Sequence, residues 1–72
     1  MNEKLEAQAK NLEEIAAELE KAAAHAKTAA AHFRSGEVPR GCAHTLAAEG
    51  HMLVASEHIQ QVAKAHRLAA RP

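Results

Sequence analysis

Histidine is the side chain in this sequence best equipped for chemistry, and its placement is regular. His25 and His32 lie seven residues apart, as do His44, His51 and His58. Imidazole is the commonest metal ligand and titrates near neutral pH. The two sets mirror each other about position 38, where Gly36, Pro39 and Gly41 interrupt the chain. In a hairpin that turns there, His32 faces His44, His25 faces His51, and Glu18 faces His58. Each facing pair offers two ligands from two elements, and a two-fold dimer brings two pairs together. Four nitrogens suit a closed Zn²⁺ site, and Cu²⁺ or Ni²⁺ also accept imidazole. The candidate metal set is therefore His25, His32, His44 and His51, with Cys42, His58 and Glu18 as secondary members.

The spacing also restricts what such a site can be. Residues seven apart on one helix are about 10.5 Å apart along its axis, so two neighbours in a row cannot share an ion. Chelation within a helix needs a spacing of three or four. No histidine here has His, Asp, Glu or Cys at either distance. That disfavours a ferritin-like di-iron centre and a zincin, and any site must be assembled between helices. The competing reading makes the histidines polar flanks of a helix seam, bonded to one another or to water.

Cys42-Ala-His44 is the next candidate. A thiolate at a helix N-terminus beside Arg40 is stabilised, and Cys42 with His44 and His32 would make a soft cluster near the turn. The simpler reading packs Cys42 as a small apolar residue beside Pro39 and Leu46. A bis-histidine haem pocket is disfavoured, because Phe33 is the only aromatic residue and large aliphatic side chains are few. Met52 reads as a gap filler rather than a copper ligand. No nucleophile motif surrounds Cys42 and no Ser/His/Asp pattern is present, so the chain is not read as an enzyme.

Two helices must position these groups. Residues 3–35 contain no Gly or Pro and are rich in Ala, Glu, Lys and Leu, all strong helix formers. Leu5, Leu12, Leu19, Ala26 and Phe33 recur every seven residues, with Ile15, Ala22 and Ala29 beside them and Ala9, Ala16, Ala23 and Ala30 flanking. Gly36 supplies a left-handed stop, the turn covers about 36–39, and Pro39 suits the first turn of a second helix over about 40–70. Its expected seam is Thr45, Ala48, Met52, Ala55, Ile59, Val62 and His66, layered as Ala22 on Met52, Leu19 on Ala55, Ile15 on Ile59 and Leu12 on Val62. Gln8 then meets His66, a polar contact that fixes register. On this register the histidines sit one position before the seam.

A second apolar face, Ala43, Leu46, Ala47, Gly50, Leu53 and Val54, leaves the second helix with something further to cover. Gly50 costs about 1 kcal/mol against Ala in mid-helix, which a close neighbour would offset. The expectation is an all-α, single-domain chain over residues 1–72: an antiparallel hairpin that homodimerises into a four-helix bundle, with residues 43–54 open to a protein partner. A chain of 72 residues buries a marginal core alone. Zero formal charge and no aromatic platform disfavour nucleic acid. No apolar run is long enough for a membrane, and MNEKLEAQAK lacks the apolar region of a signal peptide. The lone cysteine suits a reducing, cytoplasmic setting. The basic end, Lys64 to Pro72, is expected to be solvated.

These features lead to a small, non-enzymatic, metal-binding bundle that stores, buffers or senses Zn, Cu or Ni. The alternative is a metal-free assembly or adaptor module. A pH-responsive bundle and an RNA-binding hairpin dimer are lesser readings.

Overall fold

The computed structural model describes residues 3–69. They form two helices, α1 (Glu3–Arg34) and α2 (Val38–Ala69), packed side by side with no strand among the described residues. Residues paired across the joint run in opposite directions, so the pair is an antiparallel hairpin. It measures 52 × 26 × 13 Å, about the length of thirty-two helical residues. No helix among the described residues is long and apolar enough to cross a membrane. The far end of the expected basic tail, residues 70–72, lies outside the described residues.

The turn follows directly from its residues. Gly36 has φ +75°, a conformation open to glycine at little cost. Around it, the Glu37 amide donates to the His32 carbonyl at 2.8 Å and the Gly36 amide to the Phe33 carbonyl at 3.0 Å. This paired pattern is a Schellman motif, which satisfies the last carbonyls of α1. Pro39 then falls in the first turn of α2, where its missing N–H removes no hydrogen bond. Gly41 is buried against Phe33: a methyl group there would stand 2.7–2.9 Å from the ring. A side chain at this position would require the Phe33 ring to move aside.

The joint is not the one that the leucines suggest. The shielded seam positions of α1 are 8, 11, 15, 18, 22, 25, 29 and 32, and those of α2 are 41, 44, 48, 51, 55, 58, 62 and 65. Positions 17, 30 and 47 are partly shielded beside them. Both series step by three and four alternately, as a coiled-coil seam does. The expected Ala22, Ala29, Ala48, Ala55, Ile15 and Val62 are in it. The expected Leu5, Leu12, Leu19, Phe33, Met52 and Ile59 are not; all six are exposed. Thr45 and His66 are likewise exposed. Histidines occupy the inner column instead, within the seam rather than one position before it. The physical reason is that both columns repeat every seven residues beside the same alanines, and the imidazoles find hydrogen-bond partners on the opposite helix. Gln8 does not meet His66 in this register. It lies in the seam, and its Oε1 is buried without a hydrogen-bond partner.

Candidate site: an interhelical histidine ladder

Alanine and glycine form one column of the seam over most of its length, and this brings the backbones close enough for short polar side chains in the other column to meet. Among the described residues, side-chain hydrogen bonds cross between the helices at three points. His25 and His44 meet Nδ1 to Nδ1 at 2.9 Å, His51 Nδ1 donates to Glu18 Oε2 at 2.5 Å, and His58 Nδ1 donates to Asn11 Oδ1 at 3.0 Å. At the turn, His32 Nδ1 donates to Glu37 Oε2 at 2.9 Å. All four follow one register, in which residue n bonds residue 69 − n.

Ring stacks join these rungs. His32 lies over His44 with centroids 5.3 Å apart and planes 19° apart, and His25 lies over His51 at 5.4 Å and 16°. Such separations are those of favourable ring pairs. The result is a continuous run: Glu37, His32, His44, His25, His51, Glu18. It alternates hydrogen bond and stack from one end to the other.

The expected facing pairs His32–His44 and His25–His51 therefore do meet, but as stacked rings rather than as lone pairs converging on a point. Glu18 does not bond His58; it takes His51, and His58 takes Asn11. Asn11 and Glu37 are ladder members that the histidine spacing alone does not reveal. Asn11 continues the seven-residue column of Glu18, His25 and His32, so widening the column beyond histidine would have found it. Glu37 lies in the turn, outside any helical period.

Cys42 is exposed, one residue past buried Gly41 and outside the seam. The cluster of Cys42 with His44 and His32 does not form. More generally, no group of three or more His, Cys, Asp or Glu side chains is placed to hold a metal ion among the described residues.

The ladder is electrostatically organised at Glu18. The hydrogen bond from His51 holds its carboxyl below the usual glutamate range, opposed by partial burial and assisted by Lys21, His51 and His58. Lys21 Nζ stands 4.0 Å from its other oxygen. Near the turn, Arg40 donates to Glu37 at 3.2 Å and so shares that carboxylate with His32. The two Nδ1 atoms of His25 and His44 require one ring to carry its proton on Nδ1 and the other to carry it on Nε2.

No protein-family model matches the chain, and no curated protein or solved structure matches it.

Proposed function

We propose that this chain is an assembly module, a helical hairpin whose exposed leucine flank is covered by a second copy to give a homodimeric four-helix bundle. One observation carries the reading. The apolar side chains buried among the described residues are Ala22, Ala29 and Ala55, whereas Leu5, Leu12, Leu19, Phe33, Met52 and Ile59 are 46–62% exposed. Three alanines cannot offset the conformational entropy of ordering such a chain. The six exposed residues lie on one flank: five of them directly follow seam positions, and in an antiparallel pair those columns fall on the same side.

The flank is also self-complementary. Leu5, Ala9, Leu12, Ala16, Leu19, Ala23, Ala26, Ala30 and Phe33 step by four and three, a second coiled-coil seam on the same helix. Large residues of one copy can seat against the alanines of an antiparallel other. A formal net charge of zero adds no overall repulsion between copies.

Sedimentation of the full chain at micromolar concentration tests the reading. A dimer is expected, with a melting temperature that rises with concentration. Leu12→Lys with Leu19→Lys should yield a monomer of reduced helicity. A cooperatively folded wild-type monomer overturns the proposal. Assemblies larger than a dimer would implicate Leu46, Leu53 and Val54, the exposed face at 43–54, as a further contact for self or another protein.

A second reading, of a metal-holding bundle, is favoured by the four imidazoles His32, His44, His25 and His51 lying in unbroken succession. Zn, Cu or Ni would be held non-catalytically, for storage, buffering or sensing, with His58, Glu18 and Cys42 as outer candidates. The free Cys42 thiol accords with a reducing, cytoplasmic setting. Stoichiometric metal that raises the melting temperature supports this reading; no response to any of the three ions refutes it.

A further inference from the structure

The geometry of one contact says more about which ion the ladder suits. We propose that His25 and His44 form a two-coordinate site for a monovalent, closed-shell metal ion, copper(I), held in line between their Nδ1 atoms. The inference rests on the metal-holding reading.

The two nitrogens already oppose each other. Their separation is 2.9 Å, and the ring centres are 5.1 Å apart. The second distance exceeds the first by about two imidazole radii, so both Nδ1 atoms lie near the line joining the ring centres. Lone pairs lie in the ring plane, directed away from the centre. An ion about 2.0 Å from each nitrogen needs them about 4 Å apart. That is a separation of the rings by about 1 Å along an axis they already share, with no reorientation. Ala22 and Ala29 on one helix and Ala47 and Ala48 on the other flank the pair at helical spacing, so little bulk resists the movement.

The neighbours limit coordination to two. His32 and His51 stack on the pair, presenting ring faces rather than lone pairs. Their Nδ1 atoms already donate to Glu37 and Glu18. No third His, Cys, Asp or Glu converges among the described residues. Zn²⁺ in a closed site requires four ligands in a tetrahedron, which this hairpin does not supply. Imidazole is an accepted copper ligand, and a filled-shell monovalent ion is satisfied by two donors.

Charge and protons balance. In the metal-free pair, one ring holds its proton on Nδ1 and the other on Nε2. On binding, the first ring moves its proton to Nε2, both Nδ1 lone pairs bind the ion, and no proton is released. The single added positive charge lies between Glu18 and Glu37, each one ring beyond the pair. Lys21 and Arg40 partly offset those carboxylates.

The test is an anaerobic competition titration of the full-length Cys42→Ala chain with copper(I) against bicinchoninate, which removes the competing thiol. One ion per hairpin is expected, with an X-ray absorption edge of two-coordinate copper. Nitrogen-15 spectra should show the Nδ1 resonances of His25 and His44 shifting together while those of His51 and His58 hold. His44→Ala should weaken binding by more than about tenfold, and His66→Ala should leave it intact. Retention of copper(I) by His44→Ala, or shifts at other histidines, overturns the site. Tight Zn²⁺ or Ni²⁺ binding with four nitrogens shared between hairpins, and none of copper(I), overturns two-coordination but leaves the metal-holding reading standing. Failure of every ion to bind removes both.

Discussion

Glu18 and His51, 33 residues apart in the chain, are bonded across the hairpin in the same register as the other rungs of the ladder. Shifting α2 by two helical turns would set Glu18 against His58 and take Asn11 away from it. The carboxylate is largely shielded, with its side chain 15% exposed. Its acidity is raised chiefly by the hydrogen bond from His51.

That shift gives a sign to the acid response. A carboxyl whose folded pKa is depressed stabilises the fold above its unfolded value, about 4.3, and loses that contribution as pH falls through the folded value. Glu18→Gln should therefore lower the melting temperature at pH 6, and the gap to wild type should narrow as pH falls below about 4. Thermal scans of both proteins between pH 6 and 3 check this. A gap that stays constant across the range would mean that the pair acts through shape and not through charge.

The closeness of the helices gives the second expectation. Ala55 is 1% exposed within the alanine column. Ala55→Leu should force the backbones apart and cost about 1–3 kcal/mol. Ala24→Leu, at an exposed position outside both the interhelical seam and the leucine flank, adds bulk without touching either and should leave the hairpin intact. Chemical denaturation of the two variants separates these outcomes. Equal effects would show that the alanine column is not the joint.

Much of the hairpin is legible in the sequence because helix signals are local. Gly36 with Pro39 marks the turn, and the absence of glycine and proline from residues 3–35 marks α1. The choice of inner face is not local. Leu12 and Asn11 are adjacent, and both columns repeat every seven residues beside the same small or aliphatic neighbours, such as Ile15 and Ala22. Periodicity says that a seam exists, and only the pairing of His51 with Glu18 and of His58 with Asn11 decides which column fills it. The usual preference for burying leucine gives the wrong face for a lone hairpin, and the same leucines become informative about what covers it. Within the site, the mirrored spacing does bring His25 to His51 and His32 to His44. The bond between His25 and His44 is hidden because it belongs to a register one heptad away.

Phe33 and Gly41 give a third expectation, as a coupled pair. Alanine for glycine in a helix is ordinarily favourable by about 0.5–1 kcal/mol. Here the added methyl would meet the Phe33 ring, which must swing outward. Gly41→Ala should therefore stabilise the chain in a Phe33→Ala background and lose that gain, or reverse it, in wild type. A double-mutant cycle by thermal denaturation measures the coupling. Strict additivity would show that the ring already lies elsewhere in solution.

The ladder itself yields the last expectation, which bears on why it exists. Removing one member of a shielded polar pair leaves the other unsatisfied, at a cost of about 1–3 kcal/mol. His25→Leu should thus destabilise the hairpin by that amount, because the His44 Nδ1 loses its partner. Replacing both partners by apolar side chains is commonly neutral or stabilising. His25→Leu with His44→Leu should recover the loss and melt at or above the wild-type temperature, with leucines filling the inner column as they fill the flank. Denaturation of the two variants beside wild type decides the matter. If the double variant is the more stable, the imidazoles serve something other than stability, and ligand binding or register is what they supply. If it is as unstable as the single variant, the ladder is the structural core of the joint, and its chemistry is secondary.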